Sequence, residues 1–475
     1  DYGTFDLETV MEPAIGYAES GYPLVPAISA VIDKMQDLFS SHWSSSGQIY
    51  LAHGVPKAGT LFCNSDLAST YRRLICDAKS AGGSREHQIE AARDGWYRGF
   101  VAEAIDEFCS TTKVLDTTGH HHAGLLRGED LSRWQATIEE PVTYDYHGYT
   151  LCKTGPWGQG PVALQHLALL NQFDLSKFEP EDPEFIHLLI ETSKLAFADR
   201  ESFYGDPDFV DVPMDVLLSA EYNTNRKSLI GSEASLLLRS GKIPGFDREP
   251  VLPDVNASSA GTVGEGEPTV SSAIDVMTRG EQRGDTCHLD VIDRWGNMVS
   301  ATPSGGWLSS SPVIPGLGFP LSTRGQMFWL DEKSAACLEP GKRPRTTLTP
   351  SLALRDGEPY MAFGTPGGDQ QDQWSLHVFL KHIHCGMNLQ QSIDAPDFHT
   401  NHFPSSFYPR TSYPGRVTME GRYDPTVINK LRNRGHEVEV EGDWSLGRCS
   451  AAVRDGNLLR AAANPRQMQG YAVGR

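Results

Sequence analysis

The chain has 475 residues, a formal net charge of −20 at pH 7, 39% hydrophobic residues and 21% charged residues. This composition is ordinary for a globular protein. The excess of acidic side chains argues against a nucleic-acid partner, whose phosphates would be repelled. No apolar run is long enough to span a bilayer, so no membrane partner is expected. The sequence begins with Asp1 and shows no signal peptide there, and we expect a further N-terminal portion to precede it.

Apolar residues at helical spacing predict that the first third of the chain is helical. The predicted helices cover residues 6–19, 25–38, 65–78 and 86–108. A short helix is predicted to open at Glu129, and two strands are predicted between Val142 and Leu151, around a turn at His147 and Gly148.

Two further helices are predicted to begin at Pro161 and Pro183, because a first-turn proline loses no helical hydrogen bond. Asp182 is the predicted N-cap of the second helix. That helix is apolar on most sides, which predicts that it is buried.

The sequence predicts no metal site. The three successive histidines His120 to His122 are interpreted as part of a solvated loop, because adjacent residues rarely converge on one ion. His187 is interpreted as a packed core histidine. His382 and His384 lie on a predicted helix, where their side chains diverge around the axis.

A glycine-rich stretch at 253–285 has the composition of a flexible linker. A predicted β-hairpin follows, with strands at 288–293 and 298–302. Thr286 stands where the linker meets the first strand. Cleavage before Thr286 would free an α-amine that can deprotonate the Thr286 hydroxyl, as in N-terminal-threonine nucleophiles. From residue type alone, an ordinary β-forming threonine is the simpler interpretation.

Gly367 and Gly368 lie between a predicted strand at 360–364 and a helix-like stretch that continues through Leu380. Exposed backbone N–H groups at such a helix N-terminus suit an anion or a developing oxyanion. A tight strand-to-helix turn requires glycine in any case, so the catalytic and the structural interpretation both stay open.

None of the eight cysteines lies in a Cys-x-x-Cys pair. We expect reduced thiols in a cytoplasmic protein. Cys287 directly follows the candidate nucleophile, and strand alternation predicts that the side chains of Thr286 and Cys287 point to opposite faces.

The hairpin resembles the cleavage-site hairpin of the γ-glutamyltransferase (γ-glutamyltranspeptidase) family, whose members are N-terminal-nucleophile hydrolases. The resemblance rests on Thr286-Cys287-His288, Val291-Ile292-Asp293 and the segment from Gly296 to Thr302. Further segments that resemble family motifs, in the family's order, are residues 194–200, 205–209, 341–344, 346–350, 364–368 and 464–466. The resemblance therefore covers nearly the whole chain.

This resemblance implies an α+β fold, a four-layer αββα sandwich with two antiparallel sheets between helical layers. Residues 1–285 would form the large-subunit part, with 253–285 as linker, and residues 286–475 the small-subunit part, together one structural domain. The two fragments of one precursor would stay together, and a dimer of such heterodimers is compatible with the resemblance. It implies no cofactor and no metal.

The resemblance also implies roles for individual residues. Thr286 would be the nucleophile of both autocleavage and catalysis. Thr302 would hydrogen-bond the Thr286 amine or hydroxyl, and Ser304 would support it. Gly367 and Gly368 would supply the oxyanion hole.

The substrate-binding positions partly depart from the family pattern. Thr346 and Thr347 stand where the family has two serines that bind the substrate carboxylate. The groups that hold a substrate α-amine are replaced by Gly306 and Met327, and a thioether accepts hydrogen bonds poorly. Arg324 stands nearby and would prefer a carboxylate, although a structural ion pair is an equally weighted interpretation.

The sequence therefore predicts a self-cleaving amidohydrolase acting on a small-molecule amide. It would hydrolyse, and could transfer, a γ-glutamyl or related carboxylate-bearing acyl group through an acyl-threonine intermediate, without requiring a substrate α-amine. One alternative is a true glutathione γ-glutamyltransferase or hydrolase. Another is an uncleaved, non-catalytic family member with a binding role.

Overall fold

The computed structural model describes residues 2–116, 118–253, 286–305, 308–407, 410–466 and 470–474. The chain forms two compact units. The first contains the residues up to 138 together with 305–323, and the second contains most of the remainder. Both predicted fragments contribute residues to both units, so the predicted cleavage site does not coincide with a boundary between units.

The first unit is mainly helical, as predicted. Its helices are α1 (Leu7–Ser20), α2 (Pro26–Lys34), α3 (Gln36–Ser41), α4 (Ser44–Tyr50), α5 (Ser65–Ala81), α6 (Arg85–Tyr97), α7 (Phe100–Thr111) and α8 (Gly128–Arg133). Its short strands are β1 (Tyr22–Pro23), β2 (Leu61–Phe62), β3 (Lys113–Leu115) and β4 (His121–Ala123). Side-chain caps fix several helix starts. Asp6 Oδ1 accepts from the Thr9 N–H at 2.7 Å, and Asn64 Oδ1 accepts from the Leu67 N–H at 3.0 Å.

Three local predictions in this unit were wrong. The helix predicted over 25–38 is divided into α2 and α3 at Met35. The helix predicted over 86–108 is divided at Gly99, whose backbone is extended and whose added Cβ would lie 3.1 Å from the Gly95 carbonyl oxygen. His121 and His122 are not in a loop but form β4, because they pair with Leu115 and Val114 of β3.

The second unit is built around a six-stranded antiparallel sheet. Its strand order is β15-β14-β10-β9-β6-β5. The strands are β5 (Val142–Tyr146), β6 (Tyr149–Lys153), β9 (Ser351–Arg355), β10 (Glu358–Gly364), β14 (Ser450–Asp455) and β15 (Leu458–Ala463). β5 and β6 precede Thr286 in the chain, whereas the other four strands follow it. The β6–β9 pair therefore joins the two predicted fragments in one sheet.

The helices of the second unit are α9 (Pro161–Leu170), α10 (Pro183–Phe203), α11 (Met214–Leu217), α12 (Ala220–Lys227), α13 (Gln371–His384), α14 (Leu389–Asp394) and α15 (Pro425–Asn433). Of these, α9, α13 and α14 pack directly on one face of the six-stranded sheet. The predicted proline starts of α9 and α10 are confirmed, and Asp182 caps α10 by accepting from the Glu184 N–H at 2.9 Å. Both helices are buried along nearly their whole length. Phe363 of β10 stacks on Phe379 of α13, with ring centroids 5.6 Å apart.

The predicted hairpin lies against the other face of the sheet. It consists of β7 (Leu289–Ile292) and β8 (Met298–Ala301). Ser300 Oγ donates to the Phe363 carbonyl and accepts from the Ser351 N–H, both at 3.3 Å. A Cβ on Gly364 would lie 2.4 Å from His288 Cε1. Glycine therefore permits the close approach of hairpin and sheet.

A small sheet of β11 (Phe398–Thr400), β12 (Arg416–Glu420) and β13 (Glu437–Glu441) completes the second unit, with β12 and β13 parallel. Within the described residues, no helix is both long and apolar enough to cross a membrane. The observed architecture is thus mixed helix and sheet.

Two ion pairs hold segments that carried the family resemblance. Arg343 donates from its backbone N–H and its Nη2 to the Asp206 carboxylate, both at 2.8 Å. Arg466 is buried and bidentate on Glu420, at 2.7 and 3.0 Å. Such pairs fix orientation, because removing one partner leaves a buried charge uncompensated.

Replacement of Arg466 should reveal this dependence. We expect Arg466→Ala to lower the free energy of unfolding by about 3 kcal/mol, because Glu420 loses its fully buried partner and keeps only the partly exposed Arg422. Arg460→Ala is the matched control. Its ion pair with Asp455 is exposed, and its loss should cost no more than about 1 kcal/mol. Urea unfolding followed by circular dichroism measures both, and equal losses would contradict the prediction.

Candidate active site

The start of the hairpin presents polar side chains inward and apolar ones outward. Thr286, His288 and Asp290 are partly or wholly buried, whereas Cys287 and Leu289 between them are exposed. The predicted opposite orientation of Thr286 and Cys287 is confirmed. Strand alternation therefore brings the candidate nucleophile, an imidazole and a carboxylate to one face of a single strand.

The Thr286 hydroxyl is bonded to Ser304. Thr286 Oγ1 donates to Ser304 Oγ at 2.9 Å, and Arg324 Nη2 also donates to Ser304 Oγ. The predicted neighbourhood of Thr286, Ser304 and Arg324 is therefore present. The hydroxyl bonded to Thr286 is that of Ser304, whereas the Thr302 hydroxyl is bonded to His288 at 2.8 Å.

Arg324 begins a short 3₁₀ turn, Arg324–Met327. Its Nη1 lies 3.7 Å from the sulfur of Met327, and its guanidinium lies 5.6 Å from the centroid of the Phe407 ring. Met327 is buried. The sequence predicted that position 327 has no acidic side chain to bind a substrate ammonium. The structure places a buried thioether there, beside the Arg324 cation.

Hydrogen bonds from Arg410 hold the 3₁₀ turn Arg324–Met327 in place. Its Nη2 donates to the carbonyl oxygens of Gln326 and Phe328 at 3.1 and 2.7 Å. Burial, together with the neighbouring Arg345, lowers the pKa of Arg410 to about 10. Arg410 therefore remains charged at neutral pH and orients the backbone that carries Arg324.

The glycine turn approaches the same group of residues. Gly367 and Gly368 have φ of 138° and 57°, a region that favours glycine. A Cβ on Gly368 would lie 3.2 Å from Phe407 Cε2, and the same ring faces Arg324. Thr286, Ser304 and Arg324 are thus linked by hydrogen bonds, and the Phe407 ring lies near both Arg324 and Gly368. In the part of the chain that the structure describes, neither glycine N–H donates to a protein acceptor.

A buried charge network fixes the residue after the glycine turn. The Asp369 carboxylate accepts from the Ser406 N–H at 2.8 Å and the Ser406 hydroxyl at 2.6 Å, and pairs with Arg200 of α10. Arg200 also donates to Gln159 and Glu201 at 2.8 and 2.9 Å. Burial acts to raise the pKa of Asp369, but Arg200 and Ser406 outweigh burial and hold it below its ordinary value. The turn is therefore anchored by an ionised carboxylate.

The chain matches a known protein family along nearly its whole length. The sequence profile described as Gamma-glutamyltranspeptidase matches residues 1–474. The chain belongs to this family. It is 29% identical to the glutathione hydrolase proenzyme of Bacillus subtilis over 92% of this chain and 65% of that protein. It is 29% identical to the oxamate amidohydrolase proenzyme of Klebsiella pneumoniae over 98% of this chain and 75% of that protein.

A solved structure, that of LmbA2991, is also similar. It has 49% sequence identity and a TM-score of 0.90, covering all of this chain and 79% of that one. This chain spans about two thirds of the length of the Bacillus relative. The γ-glutamyltranspeptidase relatives named here are hydrolases and are described as proenzymes.

Two of the predicted γ-glutamyltranspeptidase substrate residues differ in their surroundings. Thr346 Oγ1 accepts from the Leu348 N–H at 3.2 Å. Thr347 Oγ1 is buried and has no hydrogen-bond partner within the described residues. An unsatisfied buried hydroxyl costs about 1–3 kcal/mol, so the Thr347 hydroxyl is the less well satisfied of the two. Gly306, the other predicted departure, lies outside the described residues, as do residues 254–285 of the linker.

One group of residues outside this site has the spacing of metal ligands. His187, Glu191 and His436 have ligand atoms within 4.8 Å of one another. However, Glu191 already pairs with Lys194 at 2.7 Å and Arg239 at 3.1 Å. These two side-chain cations would repel a metal ion. His187 is instead hydrogen-bonded to His436 and to the Gly231 carbonyl oxygen. The cluster is better explained as a packed polar network.

Sequence reasoning missed His288 and Asp290. His288 Nδ1 lies 2.8 Å from Thr302 Oγ1, and His288 Nε2 lies 3.0 Å from Asp290 Oδ2. The signal was available, because positions 286, 288 and 290 share one face of a strand. Alternation alone does not decide whether that face meets the sheet or solvent.

The backbone at Gly367 supplies a stability test of this site. A Cβ there would lie 2.3 Å from Trp374 Cζ3, in addition to the strain of a φ of 138°. Gly357→Ala is the matched control, because Gly357 has a φ of 83° with nothing within 4 Å. We expect Gly357→Ala to lower the free energy of unfolding by about 1–2 kcal/mol, and Gly367→Ala to lower it by about 1–3 kcal/mol more. Urea titration checks both, and equal values would show that the contact with Trp374 carries no cost.

Proposed function

We propose that the chain is a self-cleaving amidohydrolase of the γ-glutamyltransferase type, with Thr286 as its N-terminal nucleophile. The observation that carries the proposal is the Thr286 hydroxyl bonded to Ser304 beside the Arg324 cation. The proposed fold is the four-layer αββα sandwich of these hydrolases. It is supported by the helices and the hairpin that lie against opposite faces of the six-stranded sheet.

Self-cleavage would proceed by an acyl shift. Thr286 Oγ attacks the carbonyl carbon of Asp285, which lies outside the described residues, and the peptide C–N bond breaks as the nitrogen takes a proton. The resulting ester is hydrolysed by water. This step leaves a carboxylate on Asp285 and an α-amine on Thr286.

Turnover would use the same hydroxyl. The new α-amine takes the proton of Thr286 Oγ while Oγ bonds to the substrate amide carbon, and the N–H groups of Gly367 and Gly368 stabilise the oxyanion. Collapse releases the amine product with its proton and leaves an acyl-threonine. Water then releases the acid, and transfer to a second amine is the competing outcome.

The two predicted fragments would remain associated after cleavage. β6 and β9 come from different fragments and pair in one sheet. The Arg200–Asp369 and Arg343–Asp206 ion pairs also join them. We propose a heterodimer of these fragments. We also propose a cytoplasmic compartment, which would keep the cysteines of the chain reduced.

The substrate class follows from the charges near Thr286. Arg324 would repel a substrate ammonium and attract a carboxylate, and buried Met327 offers an ammonium only a weak acceptor. We therefore propose an acyl group that bears a carboxylate but no α-amine, such as a glutaryl group. The name of the Bacillus relative specifies hydrolysis of glutathione for that protein. In this chain, that reaction would require a further group to bind the substrate ammonium.

Intact-mass analysis under denaturing conditions tests the nucleophile. We expect the parent protein to break between Asp285 and Thr286 and Thr286→Ala to remain uncut, because alanine has no hydroxyl. Thr286→Ser should cleave, since it keeps the hydroxyl, and Cys287→Ala should cleave like the parent because its side chain is exposed. An uncut parent would overturn the proposal.

Arg324→Gln tests the substrate class. We expect the parent to hydrolyse glutaryl-p-nitroanilide more efficiently than γ-glutamyl-p-nitroanilide. The variant should lose about 10- to 100-fold in kcat/KM for the glutaryl compound, which corresponds to a lost charge-assisted hydrogen bond.

Lys333→Gln is the matched control, because it removes an exposed positive charge from the same segment. It should leave both rates unchanged. A parent that prefers the γ-glutamyl compound would exclude this substrate class and favour the glutathione alternative.

A further inference from the structure

Thr302 belongs to a buried series of hydrogen bonds that has no role in the mechanism proposed above. Thr302 Oγ1, His288 and Asp290 are linked at 2.8 and 3.0 Å, and Ser450 Oγ donates to Asp290 Oδ2 at 2.9 Å. The side chains of His288 and Asp290 are 1% and 2% exposed. Solvent therefore does not compete for these bonds.

The surrounding backbone is shaped to hold the imidazole. β10 carries Gly364 beneath the His288 ring, where any Cβ would overlap it. β14 contributes Ser450 from the neighbouring strand. Two strands of the sheet thus fix the ring position, and the hairpin supplies both its hydrogen-bond partners.

The direction of the protons follows from the donor and acceptor chemistry. A carboxylate accepts hydrogen bonds but cannot donate them, so the Asp290 carboxylate fixes a proton on His288 Nε2. In the neutral imidazole, Nδ1 then has a lone pair and accepts the Thr302 O–H. The Thr302 oxygen is left with lone pairs only, and it can act toward other groups solely as an acceptor.

We propose that His288 and Asp290 are positioning residues that hold the Thr302 hydroxyl proton away from the Thr286 α-amine. This inference rests on the proposed function, in which that amine is the general base. Thr302 faces His288 and Ser304 faces Thr286 across the hairpin, so Thr302 lies one residue pair from this amine. A Thr302 O–H directed at the amine would occupy its lone pair. A Thr302 oxygen that accepts an amine N–H instead leaves the lone pair available for the Thr286 Oγ proton.

Asp290→Asn is the principal test, since its amide can donate to His288 Nε2 and move the ring proton to Nδ1, as in the known effect of this change on a serine-protease triad. We expect kcat for glutaryl-p-nitroanilide to fall by at least about tenfold. KM should stay within twofold, because the substrate-binding groups are unchanged. Spectra of ¹⁵N-histidine-labelled protein should show His288 protonated at Nε2 in the parent and at Nδ1 in the variant.

A second pair of variants keeps the test independent of folding. His288→Gln places an amide oxygen and an amide N–H where the two ring nitrogens stood, whereas His288→Leu offers neither. We expect His288→Gln to retain at least about tenfold more kcat than His288→Leu. Val299→Ala, on the exposed outer face of the same hairpin, controls for hairpin stability and should keep the parent rate.

The outcomes separate the two proposals. A parent that is not cut before Thr286 would defeat the proposed function itself. A parent that is cut and active, with Asp290→Asn at the parent kcat or with equal losses in His288→Gln and His288→Leu, would defeat only the positioning role. A fall in kcat without a change of His288 tautomer would also overturn it.

Discussion

The pairing of β6 with β9 is the interaction on which the rest of this structure depends. It joins chain that precedes Thr286 to chain that follows it in one antiparallel sheet. Helices α9 and α13 then pack on one face of the sheet, and the hairpin that begins at Thr286 lies on the other. A backbone break before Thr286 would leave this sheet intact. A self-cleaving function is therefore compatible with a stable fold only because the core is shared.

Arg200 of α10 fixes the position of the glycine turn in the site. Arg200 is wholly buried, and its partner Asp369 lies directly after the two glycines of the site. A buried pair of this kind adds little net stability, but it strongly penalises any displacement of either partner. The Arg200–Asp369 pair thus fixes the position of the glycine turn relative to α10. Arg410 fixes the turn that carries Arg324 through its hydrogen bond to the Phe328 carbonyl oxygen. Rigid positioning of this kind is what oxyanion stabilisation requires.

Much of the fold was predictable from local patterns. The proline starts of α9 and α10, the Asp182 cap and the hairpin around Gly296 were all predicted, because each depends on residues close in sequence. The division at Met35, the break at Gly99 and the strand at His121 were missed, since each depends on contacts with more distant segments. In the site, Thr286, Ser304 and Arg324 were named from motifs, and the structure links them by hydrogen bonds.

The sequence by itself determined the order of the elements, the family and the chemical type of each candidate residue, because these follow from residue identity and short-range spacing. Only the tertiary structure decided which groups are partners. It bonded Thr286 to Ser304, and Thr302 to His288. Hydrogen bonds depend on distances of a few tenths of an ångström and on which face of a strand meets the sheet. Those quantities are set by the packing of residues far apart in the chain, and no local pattern contains them.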